Sequence, residues 1–221
     1  MKIGIITYNI PHLKTQDVIF NLLERNYKIS LIITKFKKFK NRTALLNHRP
    51  IQFQGPNPYD LSKKFKLKIS NIENIRKYKD IKFFLVCGAT IIEKKYIIKN
   101  KIINCHPGLI PMRRGLDAFK WTILKNEVLG NTLHFIDENV DYGKIISHKK
   151  TPIFKSDSMQ TLIDRHYKME IDMLVNFEKY LSNPKIFNLK AQEPSKRMPI
   201  AKEREMIKNF KKYKNFFIKK K

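Results

Sequence analysis

Apolar residues along this chain fall into short continuous runs separated by stretches of helical spacing. Residues 2 to 7 and residues 28 to 34 (Lys-Ile-Ser-Leu-Ile-Ile-Thr) are mostly aliphatic, as strands buried on both faces are. Between them Val18, Ile19, Leu22 and Leu23 recur at helical intervals, which predicts a helix over 15–26. Strand, helix, strand in that order opens a parallel sheet. A short strand near Phe65 to Ile69 and a helix around Ile72 to Tyr78 follow, then a fully apolar strand from Lys82 that stops at Gly88. Ile102 to His106 is a further strand, cut off at once by Pro107 and Gly108. Asp117 stands where it can cap a helix running from Ala118 to Leu124. Asn131 to Ile153 reads as strand, acidic turn, strand. Ser156 and Asp157 open a long helix to about Leu181, with Leu162, His166, Met169, Met173 and Phe177 on one stripe, and Pro184 ends it. Beyond Pro184 the chain is strongly basic, with a second short helical pattern after Met198-Pro199-Ile200 and a frayed end at Lys219 to Lys221. The expectation is an α/β fold: a Rossmann-like, mostly parallel sheet with helices on both faces over residues 1–184. A short, basic, partly helical C-terminal extension follows over 185–221.

Residues 35 to 60 show no clear period and contain Pro50, Pro56 and Pro58. They form either a surface excursion or a loop over a substrate pocket, since prolonged irregular segments are uncommon unless functional. In the second case His48, Arg49 and Gln52 supply hydrogen bonds or phosphate contacts and Phe53 an apolar wall. The first strand runs into Tyr8-Asn9-Ile10-Pro11-His12 without a Gly-x-Gly-x-x-Gly. This argues against a nucleotide pyrophosphate held on the first helix.

Composition changes the picture in two places. With 46 Lys and Arg against 19 Asp and Glu, the formal net charge is +27. The excess is mostly lysine spread along the whole chain, which reads as a solvated surface; a nucleic-acid face concentrates arginine and aromatics on one element. Capture of a phosphate-bearing small molecule follows from the same charge. Cys87 and Cys105 lie in apolar strands without a CxxC partner, as buried free thiols in a reducing, cytoplasmic compartment do. No apolar run has membrane-spanning length.

The chemistry centres on Asn104 and His106. Two residues apart on a strand, they project to the same side from its carboxyl end, where open α/β sheets place ligands. An amide and an imidazole side by side can stabilise a carbonyl oxygen as it gains charge, or move a proton. Some thirty-five residues on, the turn Asp137-Glu138-Asn139-Val140-Asp141 supplies carboxylates. A plain hairpin turn accepts the same residues, so the turn alone decides nothing.

Taken together, Asn-x-His-Pro-[Ser/Gly]-Leu-x-Pro at 104–111 and Gly-x-Thr-x-His-x-x-Asp-x-x-x-Asp-x-Gly-x-Ile-Ile at 130–146 resemble the folate-dependent formyltransferases. These include glycinamide ribonucleotide transformylase, the catalytic domain of methionyl-tRNA formyltransferase and the sugar N-formyltransferases. The resemblance implies transfer of a formyl group from N10-formyltetrahydrofolate to a primary amine, with no metal. Asn104 would donate to the oxyanion, His106 would stabilise it or shuttle the proton, and Asp141 would take the proton from the amine. It places the folate on Gly88-Ala89-Thr90-Ile91-Ile92, chiefly through backbone groups, and on Asp137, Asn139 and Val140. Ile91 and Ile92 serve equally as core. Arg113 and Arg114 are either exposed charge or an anchor for an acceptor phosphate. Trp121 and His166 read as packing residues, and His134 as a structural neighbour of the site.

Gly108 stands where purine-pathway enzymes usually carry Ser, and the stretch after Pro184 is too short for a tRNA-binding barrel. The expected acceptor is therefore the amine of a nucleotide-linked sugar, with glycinamide ribonucleotide second. A formyltetrahydrofolate hydrolase and a non-catalytic polyanion-binding protein are the rivals from other classes. The expected partner is a small molecule, with neither a specific nucleic acid nor a membrane, and the C-terminal segment offers a surface for a homodimer.

Overall fold

Seven strands form one sheet. In the computed structural model, which describes residues 1–37, 44–99 and 101–218, they are β1 (Lys2–Tyr8), β2 (Lys28–Thr34), β3 (Lys68–Asn71), β4 (Phe83–Val86), β5 (Ile102–His106), β6 (Gly130–Phe135) and β7 (Ile145–Lys150). The order across the sheet is β3-β2-β1-β4-β5-β6-β7. From β3 to β5 neighbours run parallel, and β6 and β7 add antiparallel to that edge. The chain moves one way from β1 to β2 and β3, then returns to lay β4 on the other side of β1. This reversal leaves a crevice beyond the carboxyl ends of the strands, the usual place for a ligand in such sheets.

Alternation along the strands sends side chains to two cores. Ile3, Ile5, Leu31, Leu85, Ile103, Cys105 and Leu133 face α1 (Leu13–Glu24) and α4 (Met159–Val175), burying Val18, Ile19, Leu22, Tyr167 and Leu174. Ile6, Ile32, Phe84 and Ile102 face the other way. There the predicted helix around Ile72 to Tyr78 is a 3₁₀ turn over Ile72–Lys77, which buries Ile72 and Ile75. Helices thus cover one face, and short turns and loops cover most of the other, which corrects the expectation of helices on both faces. Each fully buried aliphatic side chain contributes about 1.5–3 kcal/mol to this arrangement.

The helix ends depart from expectation in instructive ways. Ser158, not Ser156 or Asp157, caps α4, accepting the Thr161 N–H at 3.1 Å. Asp157 instead holds Arg165 in a two-point ion pair. The helix expected to reach Leu181 breaks at Asn176 and restarts as α5 (Phe177–Ser182). Asp117 precedes α3 (Ala118–Leu124) but makes no capping bond of its own to that helix; its φ is +52°, and its carboxylate accepts the Met198 N–H at 2.8 Å. In the irregular stretch, Pro58–Lys64 forms a short helix, α2, capped by Asn57, while positions 38–43 lie outside the described residues.

The expected short helix near the C-terminus is α6 (Ile200–Ile218), 19 residues long. It packs on α3 through a third core of Phe119, Ile123, Leu162, Met198, Met206 and Tyr213. A buried ion pair joins Lys120 of α3 to Glu203 of α6, and the Tyr213 hydroxyl donates to the Glu127 carbonyl at 3.0 Å. Residues 185–198 cross the domain in extended form and bond to its edge at Lys185 and Ser195. The segment after Pro184 therefore lies on the domain rather than beside it. Lys219 to Lys221, expected to fray, lie outside the described residues.

Candidate active site

β5 delivers Asn104 and His106 to the crevice because Ile103 and Cys105, which alternate with them, are fixed in the main core. β6 pairs antiparallel with β5, and the register sets His134 opposite Asn104 and Thr132 opposite His106. Thr132 secures the turn that follows β5: its hydroxyl donates to the Gly108 carbonyl at 2.7 Å and accepts the Ile110 N–H at 3.0 Å. The β6–β7 connection then folds back over the strand ends. It can do so because Gly143 has no side chain; a Cβ there would stand 1.9 Å from the Phe135 carbonyl oxygen. Asp141, at φ +48°, is carried inward by this fold-back.

Asp141 Oδ2 lies 3.2 Å from His106 Nδ1 and accepts the Gly115 N–H at 3.0 Å. The other imidazole nitrogen, Nε2, lies 3.0 Å from the Arg113 carbonyl oxygen. A carbonyl can only accept, so Nε2 carries a hydrogen. With an acceptor on each side, the doubly protonated ring satisfies both contacts, and the neutral ring only one. Burial pushes the Asp141 carboxyl up, but His106, His134, the Gly115 N–H and Arg114 together outweigh it and hold the group below its ordinary value.

His134 fixes the orientation of the amide. Its Nδ1 lies 3.0 Å from the Phe135 carbonyl and must donate there, so its Nε2 is an acceptor, and Asn104 Nδ2 approaches that nitrogen at 3.3 Å. Burial lowers His134 to about 4 despite the nearby Asp141, which keeps the ring neutral and the acceptor in place. One amide hydrogen of Asn104 is then committed, and the second remains for a ligand. The cross-strand position of His134 agrees with its reading as a structural neighbour.

The folate-binding positions inferred from the resemblance form two banks of this crevice. On one side, Gly88 packs beneath Tyr8 and His12, Ala89 and Ile92 lean on the core, Thr90 is half-buried, and Ile91 is 78% exposed. On the other, Asp137 accepts the Asn139 N–H at 2.9 Å, and Val140 lies exposed at the turn. A Lys94–Glu138 ion pair joins the banks.

Several residues expected to bind the acceptor have other duties. Arg113 is 5% exposed. Its guanidinium is taken up by Glu127 through Nε at 2.9 Å and Nη2 at 2.5 Å, with Ser195 and Gln192 on the remaining donors. A fork so occupied does not reach for phosphate, which corrects that reading of Arg113. Arg114 clamps the acidic turn: it donates to the Val140 carbonyl at 2.9 Å and lies over the Tyr142 ring. Gln52 ties its loop to the first turn of α1, where backbone N–H groups need acceptors. Its carbonyl accepts the Leu13 N–H at 2.7 Å, its Oε1 the Lys14 N–H at 3.3 Å, and its amide donates to Pro50. His48 stacks on Phe119 beside Asp117, and burial with Arg49 and Lys120 lowers it to about 3.

Arg49 leads to a group of residues not anticipated from the sequence. Its Nη2 donates to Glu170 Oε1 at 2.9 Å, and Lys14 Nζ reaches the same oxygen at 2.7 Å. Glu170 is fully buried; burial pushes its carboxyl up, but the two cations prevail and hold it at about 2. Glu170 Oε2, Arg49 Nε and His166 Nε2 are buried and have no hydrogen-bond partner among the described residues. His166 feels Glu170 and Arg49 as well as His106, so this cluster adjoins the reactive pair. The available signal was a glutamate four residues after His166, on the buried stripe of α4. Among the described residues, no group of His, Cys, Asp and Glu is arranged to hold a metal, and no helix is long and apolar enough to cross a membrane.

Against known proteins, residues 3–177 match the sequence profile described as formyl transferase. The methionyl-tRNA formyltransferase of Thermodesulfovibrio yellowstonii is 30% identical over 174 residues, 75% of this chain and 55% of that protein. The phosphoribosylglycinamide formyltransferase of Bacillus subtilis is 39% identical over 71 residues, 32% of this chain and 36% of that enzyme. The chain thus aligns to 55% of the length of the first relative and 36% of the second. Among solved structures, phosphoribosylglycinamide formyltransferase from Anaplasma phagocytophilum superposes with TM-score 0.61 at 17% identity, over 81% of this chain and 85% of that one. A sugar N-formyltransferase from a Shewanella species gives 0.59 at 18%, over 94% and 86%. At such identities the likeness speaks for the fold, and the fold agrees with the α/β architecture expected from the strand and helix pattern. The profile match spans most of the chain and takes in β5, β6 and the acidic turn, and on that ground the chain belongs to the formyl transferase family.

Proposed function

We propose that this protein transfers a formyl group from N10-formyltetrahydrofolate to the primary amine of a small, phosphate-bearing acceptor, most fittingly a nucleotide-linked amino sugar. The observation that carries the reading is the His106–Asp141 contact at 3.2 Å beside an amide whose orientation His134 dictates. The free Asn104 hydrogen is a donor for a carbonyl oxygen gaining charge. His106, held between Asp141 and the Arg113 carbonyl, lies beside it. Asp141, ionised and anchored by Gly115, accepts the proton that the amine sheds. Donors held in place before reaction need no reorganisation when charge develops, which is why such sites are effective.

The donor fits the crevice. Its two banks offer backbone groups at Gly88 to Ile92 and at Asp137 to Val140. The exposed apolar side chains of Ile91, Val140 and Tyr142 suit the faces of a fused ring. When bound, the folate supplies an activated formyl carbon; the chain's own residues orient it, exclude water and handle the proton. On the acceptor side, Lys14 and Arg49 carry two positive charges against the single carboxylate of Glu170, a net excess of one that favours an anionic ligand. Of the three side chains, Arg49 is the one that reaches the surface, with 30% of its side chain exposed. An N-formyltransferase from Helicobacter canadensis, alike in fold, has been solved with folinic acid and dTDP-3-aminofucose. The match to phosphoribosylglycinamide formyltransferase over 71 residues supports glycinamide ribonucleotide as the second acceptor.

The test is to incubate the protein with formyl-folate and a panel of amino-sugar nucleotides plus glycinamide ribonucleotide, and to weigh the products. An acceptor heavier by one formyl group is expected. Donor consumption without a formylated acceptor would favour the hydrolase reading, and salt-dependent RNA binding without turnover the polyanion-binding one.

A further inference from the structure

We propose that residues 192–198, beyond the matched stretch 3–177, form a strap that positions the His106–Asp141 pair, and that Arg113 is the positioning residue through which it acts. This rests on the reading of that pair as the reactive centre. The loop at 107–117 contains no helix or strand of its own, yet it must present two backbone groups accurately. The Arg113 carbonyl faces His106 Nε2 at 3.0 Å, and the Gly115 N–H faces Asp141 Oδ2 at 3.0 Å. The intervening groups point the other way, into the strap. Ser195 N–H donates to the Arg114 carbonyl at 2.9 Å, and Leu116 N–H donates to the Ser195 carbonyl at 2.8 Å.

The Arg114 carbonyl and the Gly115 N–H belong to one trans peptide group and point opposite ways. Pinning the Arg114 carbonyl to Ser195 therefore aims the Gly115 N–H at Asp141, and the Leu116 bond to Ser195 fixes the next peptide. Gly115 allows the approach: its φ is +81°, and a Cβ there would stand 2.5 Å from the Ser195 carbonyl oxygen. The ends of the strap are fastened as well. Gln192 N–H donates to the Pro111 carbonyl at 3.1 Å, and Met198 N–H to Asp117 at 2.8 Å. Arg113 locks the register by joining Glu127 on the domain to Ser195 Oγ and Gln192 Oε1 on the strap.

Ser195→Pro removes the N–H that holds Arg114. The readout is the ¹⁵N spectrum of the His106 ring, assigned by its loss in His106→Asn, together with the pH–rate profile and separate kcat and KM. In the wild type the ring nitrogen facing the Arg113 carbonyl is expected to carry a hydrogen in every molecule; in Ser195→Pro, a mixture of tautomers and an altered pH–rate profile are expected. A fall in kcat of about 10- to 100-fold at a donor KM within about twofold of wild type accompanies them, since small misplacements of a positioned group cost rate rather than binding. Should Ser195→Pro fail to fold, the pair Gln192→Ala and Ser195→Ala, which spares the backbone bonds, decides on the same readouts. A folded strap variant with the wild-type ring spectrum, pH profile and kcat overturns the inference. Absence of formyl transfer in the wild type would sink the proposed function instead, and the ring spectrum would still decide the strap.

Discussion

Acidification should destabilise this protein well above the range where carboxylates titrate, because several histidines are buried neutral. Burial, with neighbouring cations, holds His12 at about 3; burial holds His134 and His166 at about 4. Each lies below the free value of about 6.5, so the unfolded chain binds the extra protons. The stability these residues contribute is complete above the unfolded value and is lost as pH falls from there toward about 4. Between pH 7 and pH 5 the linkage relation gives a loss of about 2 kcal/mol for each histidine that stays neutral when folded. With His48, held at about 3 by burial, Arg49 and Lys120, the four remove roughly 8 kcal/mol, against a typical total of about 5–15 kcal/mol. The single tryptophan, Trp121, is half-buried beside the third core and donates to the Lys196 carbonyl. Its emission thus reports urea unfolding of the region that joins α3 to the C-terminal segment. Midpoints at pH 7 and pH 5 measure the loss, and His166→Phe should shrink it by about a quarter. A stability at pH 5 within about 1 kcal/mol of that at pH 7 would refute the reasoning.

Other expectations are separately testable. Asn104→Ala and Asp141→Asn should each lower kcat by about 100- to 1000-fold while the urea midpoint at pH 7 stays close to wild type; normal turnover would remove these residues from the chemistry. His134→Phe keeps a buried ring but deletes the acceptor for Asn104, so kcat should fall with little change in donor KM, and stopped assays at saturating donor would show it. Glu203→Gln leaves Lys120 charged and buried, at a cost of about 3–5 kcal/mol, whereas replacing both by apolar residues should cost less, about 1–3 kcal/mol for the Leu45 N–H that Glu203 Oε2 accepts; a double-mutant cycle in urea measures the difference. Below pH 4 the carboxylates join the histidines: Glu170, held low by Lys14 and Arg49, contributes stability that is present above the free carboxylate range and disappears as pH falls toward 2. Glu170→Gln should flatten that last limb of the acid-unfolding curve.

The strands were legible because their signals are local. The aliphatic runs of β1 and β2 stand out, and β2 has the bounds its hydrophobicity suggests. Asn104 and His106 share a side because strand alternation requires it, and Asp141 joined them through the spacing of two motifs. The helix ends were misread locally, whereas the misreadings within the site concern contacts between distant parts of the chain. Arg113 looked like a phosphate anchor because arginine near a site often is one; its partner Glu127 and the strap residues Gln192 and Ser195 are separated from it by 14, 79 and 82 positions. The docking face of α6 (Met206, Phe210, Tyr213 and Phe217) does carry helical spacing, but lysines surround it and obscured the pattern. Most hidden were the groups that complete the site, the Arg113 carbonyl and the Gly115 N–H. Any residue carries a carbonyl and almost any an N–H, so side-chain identity left no trace of their use. Only the glycine, needed where the strap's backbone comes too close for a Cβ, hinted that two segments meet there.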